Sequence, residues 1–338
     1  MSEPKVKVGV IGAGGMCNSV HMPSMKEMDD VEVVALCDLV EEKLQRTAEK
    51  FGIQKTYTSY HEMLKAEEID AILCLVEPSN HFHVVMACLN AGKDVFMEKP
   101  PGITLFQCES MMRKAEEVDK ILMVGFNRRY IPVVRAVKKA FLEITHVTQA
   151  EGCFYKYGTG AFDRGGLPAF ESDTIHAVDL VRSFVGATPV EAHTFVSAVE
   201  EPVSNAWNSI SRFDNGAIGL IKANYRTGGR VHRFEIHGPR ASAYINLGMG
   251  GTQCEAVLLR HSGGQQYSLS AGAAGGDSDS YFNGAELAGS DQFYHFYGFF
   301  AEDRHFIDCV KSRETPETSI QDAVKSFRWV DMIVSNQR

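Results

Sequence analysis

The chain reads as an α/β protein in two parts: an N-terminal doubly wound parallel sheet, then an α+β region whose strands run mostly antiparallel. Three observations predict this. Up to Phe126, continuous apolar runs alternate with helical patterns. Beyond roughly residue 128 that rhythm stops, and turn signals separate successive strand pairs. Finally, 338 residues exceed what one hydrophobic core ordinarily organises. The expected division is 1–127 and 128–338, with the C-terminal helices packing back on the first part.

Val6 to Ile11 is an unbroken apolar run bounded by glycine, as a strand buried on both faces requires. Val31 to Cys37, Ala71 to Val76, Asp94 to Met97 and Ile121 to Phe126 repeat it. Helical patterns fill the gaps at Glu41–Phe51, His61–Ala66, His81–Asn90 and Thr104–Val118, and Asn90-Ala91-Gly92 is a glycine stop signal. Such a rhythm means right-handed crossovers and parallel strands. In the second part, Pro132–Leu142 predicts a helix. Asp214-Asn215-Gly216 joins strands at Asn205–Phe213 and Ala217–Tyr225, a strong hairpin signal. Gly238-Pro239-Arg240 joins Phe234–His237 to Ala241–Asn246, and Ser262-Gly263-Gly264 joins Val257–Arg260 to Gln266–Leu269. Ala271–Ser280 predicts a mobile loop. Helices at Tyr297–Lys311 and Ser319–Ile333 complete the chain.

Composition narrows the function classes. Apolar residues make up 44% and charged residues 23%, as in soluble globular proteins. A formal net charge of −9 argues against a nucleic-acid surface. The eight cysteines form no CxxC pair, which predicts buried, reduced thiols. The N-terminus runs straight into a strand, and no apolar run approaches the roughly 18 residues that span a membrane. The expectation is a cytoplasmic protein with no membrane partner.

The first strand leads into Gly12-Ala13-Gly14-Gly15-Met16-Cys17. Such a turn lets backbone N–H groups and a helix N-terminus face a pyrophosphate. Cys17 stands where the third glycine of G-x-G-x-x-G would be. Asp38 ends the second strand, twenty-four residues beyond Gly14. Its carboxylate either accepts both adenosine ribose hydroxyls or caps the next helix. In the first role it would repel a 2′-phosphate, and Leu39-Val40-Glu41-Glu42 offers no arginine. NAD is therefore expected over NADP.

Glu98-Lys99-Pro100-Pro101 lies at another strand end, on the same edge of the sheet. Proline holds Lys99 extended, which fixes where its side chain starts. Partial burial would tune its pKa toward donation to a substrate oxygen. The alternative is a surface ion pair.

Glu98-Lys99-Pro100, with the glycine loop, Asp38, His81 and Gly125-Phe126-Asn127-Arg128-Arg129-Tyr130, resembles the glucose–fructose oxidoreductase/inositol dehydrogenase (Gfo/Idh/MocA) family. The likeness extends to Phe306–Lys311 near the C-terminus. It implies an N-terminal Rossmann domain and a C-terminal domain with a large open sheet that serves homo-dimers or homo-tetramers. It also implies nicotinamide-dependent chemistry on a sugar, glycoside or polyol, with Lys99 reaching both nicotinamide side and substrate. The family's other signature, an aspartate four residues before a histidine, is altered here. Glu171-Ser172-Asp173-Thr174-Ile175-His176 puts Ser172 at that position, with Asp173 three residues before His176. His176 and Asp179 keep the HxxD portion.

On this reading the catalytic residues are Lys99, His176 and Asp173. The cofactor is expected at Gly12, Gly14, Gly15, Met16, Asp38, Pro78, Asn80, His81, Glu98 and Lys99. Asn127, Arg128, Tyr155 and Ser172 join Lys99, Asp173 and His176 around the substrate. No histidine spacing argues for a metal, and none is expected. Two other readings remain. One is a non-catalytic NAD- or sugar-binding sensor. The other is an NAD-assisted glycoside-cleaving enzyme working through a 3-keto intermediate.

Overall fold

A computed structural model describes residues 4–158, 166–249, 254–261 and 279–337. Two compact units divide the chain. One gathers the described parts of 1–127, 163–173 and 298–328; the other gathers those of 128–162, 174–297 and 329–338.

In the first unit, strands β1 (Val6–Ile11), β2 (Val31–Cys37), β3 (Thr56–Tyr57), β4 (Ala71–Cys74), β5 (Asp94–Glu98) and β6 (Leu122–Gly125) form one sheet in the order β3-β2-β1-β4-β5-β6. Every pairing is parallel. The apolar runs are explained by burial on both faces: Val8, Val10, Ile72, Leu73, Val95, Phe96 and Val124 are all fully buried. The helices are α1 (Met22–Lys26), α2 (Glu41–Phe51), α3 (Tyr60–Ala66), α4 (Pro78–Asn90) and α5 (Leu105–Glu117). Their ends obey local rules. Thr104 accepts the Gln107 N–H before α5, and Gly52 closes α2 in the left-handed region at φ 70°. Proline begins α4 three residues ahead of the expected start, because a missing N–H costs nothing at that position.

The second unit opens with α6 (Pro132–Leu142) and contains β7 (Gln149–Tyr157), α7 (Ile175–Val185) and β8 (Pro189–Ser197). Next come β9 (Ala206–Phe213), β10 (Ile218–Asn224), β11 (Arg226–Gly238), β12 (Ala241–Met249), β13 (Glu255–Arg260) and β14 (Ser280–Asn283). Its eight-stranded sheet has the order β14-β13-β12-β11-β7-β10-β9-β8. All pairs are antiparallel except β7–β10. The hairpin at Asp214-Asn215-Gly216 forms as expected, with Gly216 at φ 84°. The β11–β12 hairpin also forms. β13 pairs with β14 on its far side. The turn Ser262-Gly263-Gly264, the strand Gln266–Leu269 and nearly all of the loop Ala271–Ser280 lie outside the described residues.

Short helices α8 (Gly284–Ala288) and α9 (Phe293–Phe296) end this stretch, and α10 (Phe299–Ser312) and α11 (Ile320–Ser335) follow. α10 belongs to the first unit, where Phe306 packs on Phe96 at 5.8 Å and Arg304 pairs with Asp30 at 2.6 Å. Among the described residues no helix is long and apolar enough to cross a membrane. All eight cysteines are buried and free.

Candidate active site

In the first unit, strand order reverses between β1 and β4, and a cleft of about 270 Å³ opens there. Gly12, Gly14, Asp38, Lys43, Tyr60 and Asn80 are among its walls. Gly12 is held at φ +107°, and a Cβ there would sit 2.5 Å from the Leu75 carbonyl oxygen. This glycine is required by the fold itself. Gly14 and Gly15 differ, since a Cβ on either would meet nothing of the protein. Their bareness leaves open space before the first turn of the following helix, whose N–H groups precede any helical acceptor. That space fits a pyrophosphate. Met16 follows within the same turn, and the helix widens into a π-turn at Cys17–His21. Cys17 is wholly buried, and burial pushes its thiol up to about 12, so it serves packing.

Asp38 ties the loop together. One carboxylate oxygen accepts the Ala13 N–H at 2.7 Å and the other the Val40 N–H at 2.8 Å. α2 is capped from Val40, so Asp38 is not its N-cap. Asn18 braces the same turn by donating to Ala13 O, Gly14 O and Thr47 Oγ1. Lys43 and Tyr60 are cleft residues that the sequence reading missed. Lys43 lies five residues past Asp38, directly after Leu39-Val40-Glu41-Glu42.

Three expected cofactor residues, His81, Pro78 and Glu98, are placed otherwise. His81 is fully buried inside α4, with Nδ1 2.9 Å from Pro100 O and Nε2 3.0 Å from Val76 O. Burial lowers its pKa, so the neutral ring donates from one nitrogen to one of these main-chain carbonyls, and both nitrogens face main chain instead of the cleft. Pro78 starts the same helix and, unlike Asn80, is not among the cleft walls. Glu98 is turned into the protein. Its Oε1 meets His21 Nε2 at 3.0 Å and its Oε2 accepts the Lys99 N–H at 3.2 Å. His21 Nδ1 in turn meets Asp303 Oδ1 at 2.9 Å.

This Asp303–His21–Glu98 chain is buried throughout. Burial by itself would lower the histidine pKa, but Asp303 and then Glu98 outweigh it and raise His21 well above its ordinary value. Burial likewise raises Asp303, whereas His21 and Lys99 overcome burial at Glu98 and lower it. His21 carried no metal or catalytic spacing in the sequence. Its partner Asp303 lies 282 residues away, so no local signal could have joined them.

Lys99 leaves the end of β5 through a cis Lys99–Pro100 bond, and its Nζ donates to Ser172 O at 2.9 Å. The Ser172 hydroxyl points elsewhere, donating to Pro168 O at 2.9 Å, and the residue is 1% exposed. The expectation that the Ser172 side chain meets substrate is therefore corrected: its main-chain oxygen is the group presented to Lys99. Phe170–Thr174 is a π-turn, so the four-residue rule of an α-helix does not govern this stretch. Glu171 and Asp173 are both half-buried there, and burial raises the Glu171 pKa.

In the second unit, His176 is buried in the first turn of α7. Two residues before it, Thr174 Oγ1 bonds Tyr225 OH at 2.7 Å. Asp179 is paired with Arg129, whose Nε donates at 2.7 Å and whose Nη2 reaches the other oxygen. It holds α7 against the turn Asn127–Tyr130. Asn127 ends the first unit and is buried. Arg128 begins the second and bonds His232. Tyr155 is a correction. Gly152 faces Val181 of α7, and strand alternation puts Phe154 and Lys156 on that same side. Tyr155 shares the opposite face with Cys153, Glu151 and Arg233, away from His176. Among the described residues, no group of three His, Cys, Asp or Glu could hold a metal.

A 3-2-1-4-5-6 parallel sheet with a glycine turn and a strand-end carboxylate at its switch point defines a dinucleotide-binding protein. Comparison with known proteins specifies which kind. Residues 6–126 match the family described as "Oxidoreductase family, NAD-binding Rossmann fold", and residues 165–244 match the GFO/IDH/MocA C-terminal domain. The chain is 29% identical to a myo-inositol 2-dehydrogenase of Thermotoga maritima, over 71% of this chain and 75% of that protein. It is 26% identical to a scyllo-inositol 2-dehydrogenase (NAD(+)) of Bacillus subtilis, over 95% and 91%. A dehydrogenase from Chromobacterium violaceum shares the fold at a TM-score of 0.85 and 20% identity, covering 99% of this chain and 96% of that one. The chain belongs to the Gfo/Idh/MocA oxidoreductase family, with its NAD-binding Rossmann fold.

Proposed function

We propose that the protein is an NAD-dependent dehydrogenase of a secondary hydroxyl on a sugar, glycoside or cyclitol. The observation that carries this reading is the setting of Lys99. Its amine stands at the carboxyl end of a dinucleotide-sheet strand and donates to the carbonyl of Ser172, four residues before His176 in the chain. NAD, when bound, supplies the hydride acceptor. His176 takes the hydroxyl proton, since imidazole exchanges protons near neutrality. Lys99 bears the developing alkoxide charge, turning from Ser172 O to the substrate oxygen. Glu171 or Asp173, in the preceding π-turn, supports the imidazolium. Inositol dehydrogenases among the relatives support a cyclic polyol as the substrate class.

NAD is favoured over NADP because Asp38 would oppose a 2′-phosphate, even with Lys43 nearby. The second-unit sheet carries exposed Phe195, Ile210 and Tyr244, which supports a homo-oligomer formed through that face.

The test is a spectrophotometric screen at 340 nm with NAD, polyols, glycosides and inositols, run on the native protein and on Lys99→Met. At least one compound should reduce NAD. The substitution should lower kcat by roughly 10²–10³-fold with NAD affinity unchanged. Silence across the screen despite NAD binding would turn the reading toward a sensor. Aglycone release without net cofactor reduction would turn it toward glycoside cleavage.

A further inference from the structure

The first unit contains a buried histidine that the proposed hydride chemistry does not use. His21 is 0% exposed, in the π-turn that follows the glycine loop. The rings of Phe96 and Phe299 meet its own in T-shaped contacts at 5.2 and 6.0 Å. A carboxylate stands at each ring nitrogen: Asp303 Oδ1 is 2.9 Å from Nδ1, and Glu98 Oε1 is 3.0 Å from Nε2. Burial would raise Glu98, but His21 and then Lys99 outweigh it, so Glu98 is ionised and only accepts. Nε2 therefore carries a proton and donates it to Glu98. A bare Nδ1 would repel a carboxylate at 2.9 Å, so a second proton lies between Nδ1 and Asp303 and fixes the ring from behind.

The other Glu98 oxygen ends on a backbone group. Oε2 accepts the Lys99 N–H at 3.2 Å, the amide from which the Lys99 stem starts. Past Lys99 the main chain is stiffened by Pro100 and Pro101. The direction in which the side chain leaves is thus set by that amide. Its amine sits at the end of a flexible four-carbon stem, where a small rotation at the amide becomes a large displacement. Misplacing a reacting group by about 1 Å costs up to roughly 10²-fold in rate. By occupying Oε1, His21 stops the carboxylate from turning and leaves Oε2 facing Lys99.

We infer that His21 and Asp303 are positioning residues for the proposed hydride transfer, acting through Glu98 to aim the Lys99 amine at the reacting oxygen. The inference rests on the dehydrogenase reading above. It gives His21 an effect on turnover beyond its effect on folding, although both of its nitrogens face carboxylates of the protein.

The experiment compares native protein with His21→Gln, Asp303→Ala and Asp303→Asn, the first two also combined with Lys99→Met. Calorimetric titration counts NAD-binding sites, and kcat is expressed per site, so unfolded protein does not register. His21→Gln and Asp303→Ala should lower kcat by about tenfold or more, with the polyol KM within about twofold of native. In the Lys99→Met background the same changes should cost less than about twofold, because the group they aim is gone. Asp303→Asn, which keeps a hydrogen-bonding partner on Nδ1, should stay within about threefold of native. Should His21→Gln fail to bind NAD, the two Asp303 variants carry the test. Losses that multiply with that of Lys99→Met overturn the inference, as does native kcat per site in Asp303→Ala. If native protein oxidises nothing, the dehydrogenase reading fails separately. The positioning is then read from site-resolved acetylation with acetic anhydride, comparing Lys99 with the exposed Lys5. Release of the Lys99 amine from Ser172 O should raise its relative reactivity about threefold or more in Asp303→Ala, and an unchanged ratio refutes the inference.

Discussion

Lys99 owes its position to residues that never meet a substrate. Glu98 holds the Lys99 N–H with one oxygen and His21 with the other, and Asp303 secures His21 from behind. Removing one member of a buried ionic chain strands the remaining charges, at a cost of roughly 3–5 kcal/mol. His21→Gln should therefore lower the unfolding free energy by about that much, measurable by urea titration. The pH dependence has a definite sign. A raised folded-state pKa means that the His21 contribution is complete below about 6.5 and fades as pH climbs through the folded value. Glu98, lowered, contributes above about 4.3 and loses its contribution as pH falls through its own folded value. Native stability should thus decline on the alkaline side of neutrality, and His21→Gln should flatten that decline. A variant with the same alkaline slope as the native protein would show that His21 is uncharged. The sequence offered Lys99 and Glu98 through their proline-stiffened strand end. It offered nothing for His21 and Asp303, because a pairing across 282 residues leaves no periodicity to read.

At the scale of elements, the glycine turn divides into two kinds of glycine that look alike in sequence. Gly12 is dictated by its own backbone and by the nearby Leu75 carbonyl, whereas Gly14 has empty space around it. Gly12→Ala should destabilise the fold by roughly 1–3 kcal/mol or more. Gly14→Ala should keep the melting temperature within a few degrees while weakening NAD about tenfold or more. Differential scanning fluorimetry paired with NAD titration separates the two, and equal losses of stability would contradict the assignment of open space to the cofactor. The π-turn Phe170–Thr174 teaches a related lesson. Spacing rules assume 3.6 residues per turn, so one widened turn was enough to misdirect the expectation for Ser172. Strand alternation misled less, since Tyr155 and Lys156 were known neighbours and only the side facing α7 was undetermined.

For the molecule as a whole, an eight-stranded sheet leaves Phe195, Ile210 and Tyr244 exposed on one face. Ile210→Glu should shift the protein toward monomer in light scattering coupled to gel filtration, while the native protein elutes as a dimer or tetramer. Native protein that is already monomeric would end that reading.

Period-3.6 and period-2 patterning, with glycine and proline punctuation, determined the alternating parallel sheet, the β9–β10 and β11–β12 hairpins and the motifs at the strand ends. Those features are written in residues adjacent along the chain. Tertiary structure alone decided which face Tyr155 takes, why Glu98 is buried with His21 and Asp303, and that Arg128 and Arg230 meet on one histidine, His232. Each depends on segments far apart in sequence being brought within a few ångströms, and distance in space has no local signature in a string of residues.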